Sequence, residues 1–237
     1  MTGSTKVYLA CGAALTGAVA YTVGAQVWAA GLRRGVVFCG PARPMVALTF
    51  DDGPDPVHTP RVLDILGEHG AQATFFVVGR QVEAAPALVR AIAAAGHDLG
   101  NHTYSHCHLW TLPPRASVEE VDRGAASVAQ ATGTPPPYFR PPWGTFNWAA
   151  YSRAAEIGEV RVLWSVRPEG WLRPASPAEL AAFVVRRAHP GAIVNLHDRG
   201  GHPSTPAATC EALPAILAGL RARGFDLVPL RTLLRNP

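Results

Sequence analysis

Compact apolar runs of five or six residues alternate along this chain with longer stretches in which apolar residues recur at helical spacing. The first run, Val46-Ala47-Leu48-Thr49-Phe50, reads as a buried strand and is cut off by the turn-forming segment Asp51-Asp52-Gly53-Pro54-Asp55. Thr59-Pro60 opens a helical pattern through Val62, Leu63, Ile65 and Leu66 that closes at Gly67 to Gly70. Ala73-Thr74-Phe75-Phe76-Val77-Val78 follows as a second buried strand, which completes a β-α-β unit. The alternation continues with a helix over Pro86 to Ala95, a short strand near Asp98-Leu99, a helix over Val118 to Thr132 and a strand-like run from Val160 to Val166. A helix over Pro177 to Ala188, the strand Ala192 to Leu196, a helix over Cys210 to Arg223 and a last strand Asp226-Leu227-Val228 close the pattern. Strands that are apolar throughout belong to parallel sheets covered by helices. The number of units predicts an α/β fold with a parallel barrel rather than an open doubly wound sheet.

Ahead of this pattern, Val7 to Leu32 carries no charged residue, with Lys6 before it and Arg33-Arg34 after it. It predicts an N-terminal apolar helix that reaches the roughly 20 residues needed to span a bilayer. The resulting division is 1–34 as transmembrane anchor or signal segment, 35–43 as linker and 44–237 as catalytic domain. A cleaved signal peptide ending near Val27-Trp28-Ala29 and a buried Ala-rich helix are the alternatives. Basic residues flank both ends, so charge asymmetry assigns no orientation.

At 237 residues the chain suits one substantial domain plus an appendage. The net charge is +4, but the arginines form no block or helical stripe, which argues against a nucleic-acid partner and is compatible with an anionic polymer. Cys11, Cys39, Cys107 and Cys210 form no C-x-x-C pair, so a zinc ribbon or thioredoxin-type site is unsupported.

In a parallel barrel the reactive side chains gather where the strands end, because the loops there share one face. The polar clusters of this chain fall at such points. Asp51 and Asp52 follow the first strand, where one carboxylate can bind a cation while its neighbour serves as base; alone, Asp-Gly-Pro is also ordinary turn chemistry. His102 and His106 are spaced i, i+4, which on a helical turn presents both imidazoles to one point. With a carboxylate they make a two-His, one-Asp set suited to zinc or a similar divalent ion. Arg140-Pro141-Pro142-Trp143-Gly144 sets a guanidinium beside a stiff loop and an aromatic, and His197-Asp198 ends the strand that begins at Ala192.

In order and spacing these segments resemble the polysaccharide deacetylase family, carbohydrate esterase family 4, over about Pro44 to Leu234, a resemblance that implies an irregular (β/α) barrel, TIM-like, in agreement with the alternation. By that resemblance Thr49-Phe50-Asp51-Asp52-Gly53-Pro54 supplies Asp51 as general base and Asp52 as metal ligand. Asn101-His102-Thr103-Tyr104-Ser105-His106 supplies the two histidine ligands. Arg140-Pro141-Pro142-Trp143 supplies an arginine that orients the base and backbone that binds the oxyanion. Leu196-His197-Asp198 supplies a leucine lining the acetyl pocket and a histidine as general acid. Trp143 and Trp171 are the aromatics expected to touch sugar.

The fourth motif departs from the family, which places an Asp directly before its Trp to hold the catalytic imidazole. Trp164-Ser165-Val166-Arg167-Pro168-Glu169-Gly170-Trp171 keeps the Trp but carries Gly170 there, and Arg167 stands where a further Asp normally precedes. Losing that carboxylate removes a stabiliser of the imidazolium, which predicts slower turnover or activity shifted to lower pH unless Glu169 substitutes. The resemblance implies metal-dependent hydrolysis of N-acetyl groups in a polysaccharide such as peptidoglycan or a chitin-like oligomer. It implies a divalent ion, zinc first, as cofactor, a carbohydrate polymer as substrate and no protein partner. The apolar segment adds membrane contact through residues 7–32, with an extracytoplasmic or secreted catalytic domain. A glycan-binding pseudoenzyme and an amidase acting on a small N-acylated molecule are the rival readings.

Overall fold

Seven parallel strands in the order β5-β4-β3-β2-β1-β6, with β7 paired to the start of β1, organise the computed structural model, which describes residues 12, 15–168, 176–200 and 205–235. They are β1 (Met45–Asp51), β2 (Thr74–Val77), β3 (Asp98–Asn101), β4 (Tyr138–Phe139), β5 (Val160–Arg161), β6 (Ala192–His197) and β7 (Asp226–Leu227). The helices are α1 (His58–Glu68), α2 (Gly79–Ala84), α3 (Pro86–Ala94), α4 (Pro114–Thr132), α5 (Trp148–Glu156), α6 (Pro177–Arg187), α7 (Thr205–Ala222) and α8 (Leu230–Leu233). The expected α/β alternation is present. The sheet is a parallel half-barrel whose two edges, β5 and β6, share no continuous ladder among the described residues: Val166, beyond β5, bridges Val194 of β6, while Val37 and Cys39, ahead of β1, bridge Val162 and Ala192.

Local chemistry explains the boundaries. Ser176 and Glu179 form a reciprocal capping box at the start of α6, with Pro177 in the first turn and Arg186 and Arg187 in the last. The C-cap of α4 is Gly133 at φ 77, a conformation in which a side chain would be strained. The strand expected from Val160 to Val166 pairs as a ladder only over Val160–Arg161, after which the chain crosses toward β6. Alternate residues of β1 and β6 face opposite ways. Leu48, Phe50, Val194 and Leu196 pack with α1, α6 and α7 residues in the largest apolar cluster, and Phe50 stacks on Phe75 at 5.1 Å between ring centres.

The N-terminal segment requires a correction. Helical backbone runs from 15 to 31, with π-helical turns at Ala20–Gly24 and Val27–Gly31, and it lies against the rest of the protein. Ala25 and Ala29 are fully buried, Trp148 Nε1 donates to Ala20 O at 3.0 Å, and Trp28 packs on Trp148 with ring centres 6.2 Å apart. No helix among the described residues is long and apolar enough to cross a membrane. The transmembrane reading of residues 7–32 is therefore overturned over its described part; residues 7–11 and 13–14 lie outside the described residues. The misreading has a physical source. A run of Ala, Gly and Val free of charge has the composition of a span, and small side chains also let a helix sit close on a protein surface. Cys39, Cys107 and Cys210 are free thiols, and Cys11 lies outside the described residues.

Candidate active site

The ends of β1 and β6 set two pairs side by side, Thr49 opposite Asn195 and Asp51 opposite His197. The two-residue period of a strand puts all four on one face. Asp51 is buried with both carboxylate oxygens engaged: Arg140 NH1 donates to Oδ1 at 2.6 Å and Asn195 Nδ2 donates to Oδ2 at 2.7 Å. Arg140, just after β4, is fully buried over the Phe76 ring, 4.0 Å from its centre. Its NH1 also donates to Thr49 Oγ1 at 2.7 Å, its Nε to Val162 O at 3.3 Å and its NH2 to Leu163 O at 3.1 Å. Burial pulls the Arg140 pKa down and Asp51 pushes it back up, so the ion pair and its polar neighbours are what make a buried guanidinium tolerable. The result is a carboxylate with a fixed direction.

Asp52 leaves the strand at φ 74, so its side chain diverges from that of Asp51. His102 Nε2 and His106 Nε2 lie 3.3 and 2.9 Å from Asp52 Oδ1. The four-residue spacing works here through a loop rather than the expected helical turn, because Thr103 (φ 66) and His106 (φ 59) adopt left-handed conformations. Together with Asp52 and Trp143 (φ 56) they make up four of the five non-glycine residues at positive φ among the described residues. Each such residue costs on the order of 1–3 kcal/mol, and strain of this kind concentrates at functional sites.

The donor chemistry of this trio fits a cation. His102 Nδ1 lies 2.7 Å from Arg140 O, which can only accept, so Nδ1 carries the proton. In the neutral ring the Nε2 lone pair then faces a carboxylate oxygen, an opposition of two acceptors that a cation between them relieves. The ligand atoms of Asp52, His102 and His106 all lie within 4.8 Å of one another. Without a cation, the rings relieve the same opposition by taking up a proton: burial works against the Asp52 carboxylate, but hydrogen bonds from protonated His102 and His106 outweigh it and hold its pKa well below the usual range.

Helix α4 and the start of β5 support the ligand loop from behind. Asn101 Oδ1 accepts from Thr103 N at 3.0 Å, while Asn101 Nδ2 donates to Val121 O at 2.9 Å and to Glu159 at 3.1 Å. Gly124 lets α4 approach this closely, since a Cβ there would overlap Asn101 Oδ1. Burial, with the Asp122 charge adding to it and the Asn101 hydrogen bond opposing, pushes the Glu159 carboxyl up to about 9.

The remaining predicted residues are placed as follows. The Trp143 ring centre lies 4.5 Å from that of His106 and 5.0 Å from that of His108, with Trp110 next in line, 5.8 Å from His108. His197 is half-buried at the end of β6, and Asp198 is buried, accepting from Thr59 Oγ1, with burial pushing its pKa up to about 7. Leu196 is fully buried in the apolar cluster with Phe50, on the other face of β6 from Asn195 and His197. Arg167 stacks over Trp164, its guanidinium carbon 5.4 Å from the ring centre. Glu169, Gly170 and Trp171 lie outside the described residues.

Reading motifs missed Thr49 and Asn195, although a signal existed: each lies two positions before a chosen residue in a strand, on the same face. It also missed Glu159, His108 and Gln26, whose roles come from tertiary contact.

A profile of the polysaccharide deacetylase family matches residues 40–161. The chain is 38% identical over 193 residues to a peptidoglycan-N-acetylglucosamine deacetylase of Bacillus cereus, covering 81% of this chain and 88% of that protein. It is 37% identical over 196 residues to a chitooligosaccharide deacetylase of Bradyrhizobium sp., covering 78% and 88%. The crystal structure of the Bc1960 peptidoglycan N-acetylglucosamine deacetylase superposes with a TM-score of 0.80 at 31% identity, covering 89% of this chain and 97% of that one.

Proposed function

Because this chain belongs to the polysaccharide deacetylase family, we propose that it hydrolyses the N-acetyl group of N-acetylated sugars in a polysaccharide, with a divalent cation as cofactor. The observation that carries this reading is the juxtaposition of two sets: Asp51 held by Arg140 and Asn195, and Asp52 gathered with His102 and His106. The proposed catalytic domain is residues 44–237.

Asp52, His102 and His106 would hold the cation, zinc first, which when bound supplies Lewis acidity to polarise the acetyl carbonyl and to make a water more acidic. Asp51 takes the proton of the attacking water as general base, its direction fixed by two donors. The backbone at Trp143, strained in the left-handed region, offers its N–H to the developing oxyanion as a preorganised donor, while the Gly144 N–H is taken by Pro141 O at 3.0 Å. His197, directly opposite Asp51 in the register, gives a proton to the departing amine. Trp143, against His106, offers a ring to the sugar, and Trp171 shares that role.

Peptidoglycan and chitin-like oligomers are the substrates this reading favours, since relatives bearing both names cover most of their own length in the match. Both polymers lie outside the cytoplasm, so the proposal places the enzyme as exported. Acetate release from peptidoglycan and from chitin oligomers, compared with release from single N-acetylated sugars and small amides, tests it. Release from polymer or oligomer is expected. Preference for a small amide would replace the polysaccharide reading, and tight glycan binding without release would indicate a pseudoenzyme.

A second expectation concerns the fourth motif. Gly170→Asp is expected to raise turnover several-fold by restoring the carboxylate that the family places directly before its Trp, measured as kcat on the preferred oligomer. An unchanged kcat and pH profile would remove Gly170 as the cause of slow turnover.

A further inference from the structure

The N-terminal helical segment touches the proposed oxyanion loop through one side chain. Gln26 Nε2 donates to Gly144 O at 3.1 Å, and Gln26 Oε1 accepts from Phe146 N at 2.8 Å. A single amide thus satisfies a carbonyl and an N–H two residues apart, as an adjoining strand would. Gln26 is the only amide side chain between Val7 and Leu32, and a carboxamide is the side chain that offers a donor and an acceptor together.

The loop it grips is the strained one. Trp143 and Gly144 sit at φ 56 and φ 70, and the chain immediately beyond them is held from the other side by Trp110 Nε1 donating to Phe146 O at 2.8 Å. Phe146 is fully buried, so the far end of the loop is anchored. Gln26 is itself fixed: Ala25 and Ala29 on either side of it are buried, and Tyr21 OH meets Ser117 Oγ at 3.4 Å one turn earlier. Segment and loop form a single braced unit.

We propose that Gln26 is a positioning residue, which holds the backbone of 144–146 and through it keeps Trp143 and its N–H in place beside His106. The N-terminal segment is thereby a working part of the hydrolase. This rests on the deacetylase reading, because it assigns Gln26 to the loop that receives the oxyanion. A donor misplaced by about 1 Å can cost on the order of 10²-fold in rate. Loosening one of several restraints therefore shows in kcat more than in KM.

The test uses the full chain with Gln26→Met, which keeps length and volume but neither hydrogen bond, and Gln26→Glu, which keeps the acceptor for Phe146 N but cannot donate to Gly144 O. Amide hydrogen exchange over 144–147, kcat and KM for acetate release, and circular dichroism are read together. Gln26→Met is expected to speed exchange at Phe146 and lower kcat about tenfold with KM within about twofold, at unchanged folded fraction. Gln26→Glu should retain part of the protection and fall between. Exchange at Phe146 unchanged in Gln26→Met, a kcat equal to wild type, or a loss that merely follows the folded fraction would overturn the proposal, as would a mature protein that lacks Gln26. A wild-type chain that releases no acetate defeats the deacetylase reading instead, and exchange at Phe146 still reports on the clamp.

Discussion

Asp51→Asn lowers acetate release by about 10²- to 10⁴-fold, the range that a positioned proton-transfer group contributes. The amide keeps the size of the carboxylate and can still accept from Arg140, but it cannot take a proton from water. Asp52, His102 and His106 are untouched, so cation binding persists. Two side effects follow from the partners of Asp51. Arg140 stays fully buried beside a neutral group, and Asn195 Nδ2 must turn or face another NH₂. The loss is limited because Thr49 Oγ1 and the carbonyls of Val162 and Leu163 continue to accept from the guanidinium. A destabilisation of about 1–3 kcal/mol is expected, seen as a lower Tm while the variant remains folded at assay temperature. Rates are compared per folded molecule; a variant within tenfold of wild type would remove Asp51 as the base.

Glu159→Gln flattens the pH dependence of stability. The Glu159 carboxyl is pushed up to about 9 in the folded protein against an ordinary value near 4.5, chiefly by burial. Between those limits the folded state holds a proton that the unfolded chain has released, so stability falls as pH rises. The contribution is whole below about pH 4.5 and gone above about pH 9, with a slope of up to ~1.4 kcal/mol per pH unit in between. Gln cannot lose that proton, and its carbonyl can still accept from Asn101. Between pH 5.5 and 8.5 the wild type is expected to lose several kcal/mol more than Glu159→Gln, a difference of about 10 °C in Tm for a chain of this size. Parallel Tm profiles for the two proteins would show that Glu159 is not held protonated.

What the sequence disclosed and what it hid divide along a physical line. β1 and β6 were legible because they are the longest strands, mostly apolar and buried along nearly their whole length, and end abruptly in Asp51-Asp52 and His197-Asp198. β4 was not, since Tyr138–Phe139 is two residues long and carries no period. Helix α7 begins at Thr205, five residues before the expected Cys210, and tolerates Pro214 within it. The histidine pair was found by a spacing whose assumed helix does not exist; left-handed Thr103 and His106 bring the rings together instead. Asn195 was hidden by its setting, a polar residue within a mostly apolar strand whose meaning depends on reaching Asp51 diagonally across a ladder. Composition misled most at the N-terminus. Hydropathy averages over a segment, whereas Gln26, Tyr21 and the buried faces of Ala25 and Ala29 act at single positions.

In the proposed mechanism the Asp52–His102–His106 trio holds the ion on which hydrolysis at Asp51 depends. The most direct measurement is a zinc titration of chelator-stripped protein, following bound ion and acetate release together in wild type, Asp51→Asn and His106→Ala. Wild-type release is expected to be absent without metal and to return as a single ion per chain binds; Asp51→Asn is expected to bind the ion and remain at least about 10²-fold slower, and His106→Ala to bind it weakly. Full acetate release from the stripped wild type, or tight binding and normal release in His106→Ala, would contradict it.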